Sequence, residues 1–392
     1  MGAMTESPAT LTLETRAKEI PLESGTFSAA TENPELTRFA FIVHPLTPRD
    51  AARKYPIAKY LPESWIKWFL RRKGPVIMGH AKSMKSPTGA ETEGWFIGCP
   101  LTPDMMVKEL PLDVVYKKIG QCATLAKSLG ADIIGLGAFT SVVGDGGITI
   151  AKDSPIAVTT GNSYTVATAI EGTLNASALL GIDLTHATLG VVGATGSIGK
   201  TCARILGRKF GHTIIVGRDM ERTLKVAEEI GLGEATTDIN RIREADVVVT
   251  VTSSDAAVIL PEHLKPGAIV CDVARPRDVS VRVGKERPDV LVIEGGVVAV
   301  PGQADLGFYF GFPPHTAYAC MSETMILALD GRPENFTLGK DVTEEQVEEM
   351  WRLAEKHGFK LAGFRSFEKA VDDSSIERAR QARQHGFQAE GS

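Results

Sequence analysis

The chain lacks paired cysteines. Its five, Cys99, Cys122, Cys202, Cys271 and Cys320, are scattered and form no C-x-x-C pair. A disulfide framework or a zinc site needs closer or paired spacing, so no metal is expected and a reducing cytosol is the simple reading. The chain also lacks any apolar run of about 18 residues, the length a membrane-spanning helix needs. No basic-then-apolar leader opens it, which again points to a cytoplasmic protein. Basic charge is not in excess: 43 Lys and Arg against 48 Asp and Glu leave a net charge of −5. Such a chain exerts no global pull on nucleic acid, and no nucleic-acid partner is expected.

What is present is ordinary for a folded protein. Over 392 residues, 43% hydrophobic and 23% charged composition suits two or three globular domains. Residues 1–37 are rich in Thr, Glu, Ser and Pro and read as a mobile lead-in. Short apolar runs at 38–43, 75–80, 94–98 and 132–136 read as strands, with a turn at Thr88-Gly89. Residues 103–129 and 163–180 read as helices. From 186 the pattern is regular. Apolar runs at 188–192, 213–217, 246–251, 268–272 and 290–293 alternate with helical stretches, the mark of βαβ units and a parallel sheet. A helix is expected over 313–330 after Pro313-Pro314, and another over 343–358 ending at Gly358. The tail, 371–392, is polar and expected to fray.

The strongest chemical signal is Thr188-Leu189-Gly190-Val191-Val192-Gly193-Ala194-Thr195-Gly196-Ser197-Ile198-Gly199-Lys200. An apolar strand runs into Gly-x-x-Gly-x-x-Gly and then a helix. Gly193 permits the tight turn, Gly196 lets backbone approach a pyrophosphate, and Gly199 lets helix and strand lie close. The helix start offers unpaired N–H donors and a favourable dipole to the anion. The next strand ends in Arg218, where an NAD-selective site carries an acid for the ribose 2′-hydroxyl. Arginine suits a 2′-phosphate, and Arg222 adds a second cation one turn on, so NADPH is the expected cofactor. Asp219 is the competing reading, an acid one residue past the strand tip. Thr252, just after the 246–251 run, completes the cofactor-binding set.

Cys320 sits in His315-Thr316-Ala317-Tyr318-Ala319-Cys320-Met321-Ser322-Glu323-Thr324. From spacing alone, a cysteine among Ala and Met is more often a small core residue than a nucleophile. In the expected helix it lies too far from the N-terminus for dipole activation. His315 and Glu323 are near enough to tune it.

Several segments resemble the long-chain fatty acyl-[acyl carrier protein] reductases best known from cyanobacteria. They are Gly137-Ala138-Phe139-Thr140-Ser141, Thr159-Thr160-Gly161-Asn162-Ser163-Tyr164-Thr165, the Val191–Gly199 loop, Gly295-Gly296-Val297-Val298, Ala319-Cys320, Asn335-Phe336 and Lys356-His357-Gly358-Phe359. The resemblance spans roughly residues 38–360. It departs at Val142-Val143-Gly144-Asp145-Gly146-Gly147, and at His315. It implies NADPH-dependent reduction of an acyl thioester to a fatty aldehyde, as in lipid metabolism and alkane biosynthesis, with the acyl group carried on Cys320. It also implies an acyl carrier protein or CoA donor and an aldehyde-consuming enzyme as partners. A tetrahedral intermediate needs hydrogen-bond donors, for which Thr140, Ser141, Thr160 and Asn162 are candidates beside their plainer role in turns and caps. Two other readings stay open: a dehydrogenase of the shikimate dehydrogenase or glutamyl-tRNA reductase type on a small polar substrate, and a non-catalytic NADPH-sensing module.

One further stretch, Glu63-Ser64-Trp65-Ile66-Lys67-Trp68-Phe69-Leu70-Arg71-Arg72-Lys73, joins aromatic and basic residues. It suits carrier docking, peripheral membrane contact or core packing. The expected architecture is α/β. Residues 38–185 form a substrate domain, 186–310 a Rossmann-type doubly wound NADPH domain, and 311–370 helices that pack across the cleft with the cysteine.

Overall fold

A computed structural model describes residues 35–389, apart from 54, 255, 303 and 308–312. Nearly all of the expected lead-in lies outside these described residues. The first half is built on a five-stranded sheet of β1 (Phe39–Val43), β2 (Val76–Lys85), β3 (Glu91–Gly98), β4 (Ile133–Gly135) and β5 (Ala157–Thr159), in the order β2-β3-β1-β4-β5. Only the β2–β3 pair is antiparallel, as the turn near Gly89 requires. Its helices are α1 (Glu63–Arg72), α2 (Leu112–Ser128), α3 (Phe139–Val142), α4 (Ile148–Asp153) and α5 (Asn162–Leu179). The helix expected over 103–129 is interrupted. Met105–Glu109 makes a π-helical turn, Leu110 is extended, and α2 starts after Pro111. Proline has no N–H to give and disfavours helical geometry in the residue before it.

The second sheet is wholly parallel, in the order β11-β10-β9-β6-β7-β8. Its strands are β6 (Thr188–Val192), β7 (His212–Val216), β8 (Glu234–Thr236), β9 (Val247–Thr250), β10 (Ile269–Asp272) and β11 (Leu291–Glu294). Order reverses beside β6, the doubly wound arrangement whose crevice takes ligands at the carboxyl ends of the strands. Helices α6 (Ser197–Gly207), α7 (Met220–Ile230) and α8 (Val281–Glu286) belong to this half. The fold is therefore the expected Rossmann-type α/β class.

The chain then returns to the first half. β12 (Val297–Ala299), β13 (Thr316–Tyr318) and β14 (Lys360–Leu361) form a small antiparallel sheet, followed in packing by α9 (Ala319–Leu329), α10 (Glu344–His357) and α11 (Asp373–Ala389). Helix α9 lies against β1, β3 and β4 and against α5, while α5 also packs on α6, β9 and β10. The helix expected over 313–330 thus begins six residues late. Thr316–Tyr318 pairs with Val297–Ala299 instead, and the Ala319 N–H donates to the Gly296 carbonyl at 2.7 Å. The expected frayed tail is corrected as well. Over Asp373–Ala389 it is helical, held by Arg383 to Asp246 at 2.7 Å and by Arg380 to the Leu179 carbonyl at 2.6 Å. No helix among the described residues is long and apolar enough to cross a membrane.

Candidate active site

A cleft of about 1280 Å³ opens between the two halves. One wall is the glycine loop, and its three glycines divide the work. Gly193 has φ +85°, and a Cβ there would lie 2.7 Å from the Val251 carbonyl. A Cβ on Gly199 would lie 2.5 Å from the Gly193 carbonyl, so the bare backbone is what seats α6 on its strand. A Cβ on Gly196 would meet nothing closer than 3.5 Å. Its missing side chain therefore serves open space in the cleft, the cradle a pyrophosphate requires. Thr195, Ser197 and Ile198 also line the cleft, whereas Ala194 is buried beneath it.

Arg218 and Arg222 reach the rim of the same cleft. Asp219 does not line it. Its Oδ1 accepts the Arg222 N–H at 2.8 Å and caps α7. Thr252 lines the cleft, but its hydroxyl and N–H both donate to the buried Asp278 carboxylate, at 2.5 and 2.7 Å. It shapes the loop after β9 through that anchor.

The facing wall is the start of α9. Cys320 is the second residue of this helix and lines the cleft. The sequence reading placed it beyond reach of the helix dipole; strand β13 moves the helix start and brings it within the first turn, where N–H groups lack partners along the helix. Burial still pushes the thiol up to about 12, opposed by the Met321 N–H. In the free protein desolvation wins and the thiol is neutral.

Two long-range contacts seat this cysteine. Gly161, in the left-handed region at φ +78°, abuts it so closely that a Cβ would lie 2.3 Å from the Cys320 Cα. Glu323, one turn along α9 and fully buried, accepts hydrogen bonds from Thr159 Oγ1, Ser163 Oγ (2.6 Å), the Tyr164 N–H (2.9 Å) and Thr337 Oγ1 (2.9 Å). It caps α5 from another helix and bolts the two helix starts together. Asn162, beside Gly161, donates from Nδ2 to Ser197 Oγ at 3.3 Å. Three helix N-termini, of α5, α6 and α9, therefore converge on one space.

The other polar candidates fare differently. Thr140 is buried outside the cleft, with its hydroxyl on the Gly137 carbonyl at 2.8 Å. Ser141 lines the cleft but donates to the Ala138 carbonyl at 2.6 Å. Thr160 lines it too and donates to the Thr337 carbonyl at 2.8 Å. The hydroxyls of Thr140 and Ser141 serve their own loops, and that of Thr160 ties its loop to Thr337. His315 binds the Ala304 carbonyl at 3.1 Å and does not line the cleft.

Sequence reasoning missed two residues. His44, just past β1, lines the cleft; its Nε2 accepts the Phe139 N–H at 3.3 Å and braces the turn at Ala138, whose φ is +44°. Burial lowers its pKa, so it stays neutral. Arg275 lies over the Tyr318 ring at 5.5 Å and lines the cleft beside the cysteine helix. Neither carries a motif; only the fold brings them to the cleft. Of the remaining cysteines, Cys122, Cys202 and Cys271 are buried away from the cleft. Cys99 is buried but lines its apolar end.

Known proteins match this arrangement in part. The family described as Shikimate / quinate 5-dehydrogenase matches residues 175–294, essentially the second sheet and its helices. An aminotransferase, PigE, of a Serratia strain is 29% identical over 363 residues, covering 86% of this chain. The chain spans 41% of that relative's length. A long-chain acyl-[acyl-carrier-protein] reductase of Synechococcus elongatus is 28% identical over 326 residues, covering 79% of this chain and 94% of that one. Among solved structures, an NAD-dependent malic enzyme from Thermotoga maritima aligns over 88% of this chain and 83% of its own, at 13% identity and a TM-score of 0.42. The loop, the family match over residues 175–294 and the acyl-[acyl-carrier-protein] reductase relative together support an NAD(P)-dependent oxidoreductase.

Proposed function

We propose that this chain reduces a long-chain fatty acyl thioester to a fatty aldehyde, with NADPH as reductant and Cys320 as acyl carrier. The observation that carries the reading is the position of Cys320: first turn of α9, on the wall of the cleft that also holds the glycine loop. The similarity to the Synechococcus elongatus acyl-[acyl-carrier-protein] reductase supports it over most of both chains. So does the cleft's extension into the first half, lined by Phe41, Val43, Leu46, Leu70, Val76 and Met78. A small polar substrate has no use for such a wall.

The Gly193–Gly199 loop and the start of α6 fit the pyrophosphate, and Arg218 with Arg222 fit a 2′-phosphate. NADPH, when bound, supplies the hydride that takes the acyl carbon to the aldehyde level. The protein's own work lies on the sulfur. Cys320 Sγ bonds to the acyl carbon, the bond to the donor's sulfur breaks, and the Cys320 proton goes to the departing thiol. The thiolate is the attacking form, so the Cys320 proton leaves Sγ as the bond to the acyl carbon forms, and it ends on the departing thiol. N–H groups in the first turn of α9, with the Asn162 amide, stabilise the carbonyl oxygen as it gains charge. After reduction the carbon–sulfur bond breaks, the aldehyde departs, and the Sγ thiolate takes a proton from water. The donor is an acyl carrier protein or CoA thioester, and an aldehyde-consuming enzyme takes the product.

Mass spectrometry of the protein incubated with acyl-CoA or acyl carrier protein, without NADPH, tests this. The expected adduct is one acyl group on Cys320. Cys320→Ala should lose aldehyde formation by at least about a thousandfold while binding NADPH normally. An adduct on another cysteine, or turnover by the variant, would defeat the proposal. NADPH oxidation with a polar alcohol's ketone in place of the thioester would favour the dehydrogenase reading. Binding without turnover of any donor would favour a sensor.

A further inference from the structure

The aromatic–basic stretch 63–73 is core on one face only. Helix α1 buries Ile66 and Leu70, and Leu70 lines the cleft. Its other side is open: Trp65 is 66% exposed and Trp68 58%. The adjoining turn presents Ile57 and Tyr60, 68% and 86% exposed. Lys67 and Arg71 both reach Glu109 at 2.5 Å, which holds the Met105–Glu109 turn alongside and adds the exposed Val107 to the same patch. Soluble proteins seldom leave so many large apolar side chains together in water without a partner.

The charge of this region runs against the rest of the chain. Residues 47–73 hold eight Lys or Arg and two acids, Asp50 and Glu63, in a protein of net charge −5. We infer that this face is a docking surface for an anionic lipid bilayer. Tryptophan and tyrosine seat their rings at headgroup depth, and flanking cations meet the lipid phosphates. The Arg72 guanidinium lies 4.2 Å above the Trp68 ring, beside the very side chain that would enter. An acidic protein would use the cations chiefly. Here Lys67 and Arg71 are taken by Glu109 and Arg49 pairs with Glu63, while Trp65, Trp68, Ile57 and Tyr60 stand open to solvent. The patch also backs onto the apolar end of the cleft through Leu70. A greasy substrate or product then crosses little water between bilayer and site. Binding itself needs no substrate, so this inference stands or falls apart from the acyl-reductase reading.

The test is co-sedimentation of the full chain with phosphatidylcholine vesicles, with and without phosphatidylglycerol. At low salt the anionic vesicles should bind at least about tenfold more tightly than neutral ones. The pair Trp65→Ala and Trp68→Ala should lower binding to anionic vesicles about tenfold or more, and Lys59→Glu with Arg72→Glu should abolish the preference. An NADPH titration confirms that each variant is folded. In the unaltered chain, lipid brominated on its acyl chains should quench tryptophan emission. Absence of quenching, equal binding by the variants, or binding of an acidic carrier protein to this face with none to vesicles would overturn the assignment.

Discussion

The glycine loop and the cysteine wall face each other across one cleft, but they are specified over very different spans of chain. The loop is written in Thr188–Lys200, a strand, three glycines and a helix start in unbroken sequence, with the Val251 backbone packed on Gly193. Cys320 needs Gly161 beneath it, Gly296 to fix its helix start, and Glu323 tied to Thr159, Ser163 and Thr337. A local site tolerates rearrangement elsewhere. A site assembled from distant segments fails when any one of them shifts. Binding of the cofactor and acylation of Cys320 should therefore be separable by mutation, and four experiments test this.

The largest effect is expected from Gly161→Ala. The new Cβ would strike the Cys320 backbone at a φ that alanine resists. Acylation of Cys320 should slow at least about a hundredfold, with a stability loss of about 2–4 kcal/mol, while NADPH affinity changes little. Adduct mass, thermal melting and NADPH titration report on the three. Normal acylation by this variant would break the proposed coupling between α5 and α9.

Gly196→Ala is the converse. Space exists for the methyl within the protein, so the melting temperature should hold, but NADPH affinity should fall about ten- to a hundredfold. Gly199→Ala, against the Gly193 carbonyl, should instead cost stability as well. Calorimetric titration beside thermal melting separates the two; equal melting losses would contradict the division of labour among the glycines.

Arg218→Ala with Arg222→Ala should lower kcat/KM for NADPH about tenfold or more and leave that for NADH within about threefold. Steady-state kinetics with both cofactors decide it, and a matching drop for the two would remove these arginines from 2′-phosphate recognition.

The smallest signal is the pH dependence of Cys320 alkylation. Burial raises this thiol to about 12, so thiolate is scarce at neutral pH and grows about tenfold per unit as pH rises. Iodoacetamide labelling, with Cys320→Ala as the blank, should keep accelerating through pH 9. A plateau near pH 7 would mean that the helix start outweighs desolvation.

Much of the fold was legible because its signals are local. The runs at 188–192, 213–217, 246–251, 268–272 and 290–293 became β6, β7, β9, β10 and β11 within a residue or so. Short β8, Glu234–Thr236, went unseen because its sequence has no apolar run. The start of α9 was misread because Thr316–Tyr318 carries helical spacing but finds its backbone partners in β12. Thr140 and Ser141 looked like oxyanion donors by residue type. Their hydroxyls turn back on Gly137 and Ala138, a choice that depends on loop geometry.

By itself the sequence determined the parallel nucleotide-binding half and the form of its loop. Glycine's freedom at positive φ, and the alternation of strand and helix, act between near neighbours and are written in order along the chain. Where the cysteine lies along its helix, how dry it is, which polar groups face it and whether the tryptophans are core or surface were decided only in three dimensions. Those properties come from contacts between separate segments, from the β12–β13 pairing to the ties of Glu323 to Thr159 and Ser163, which no local pattern encodes.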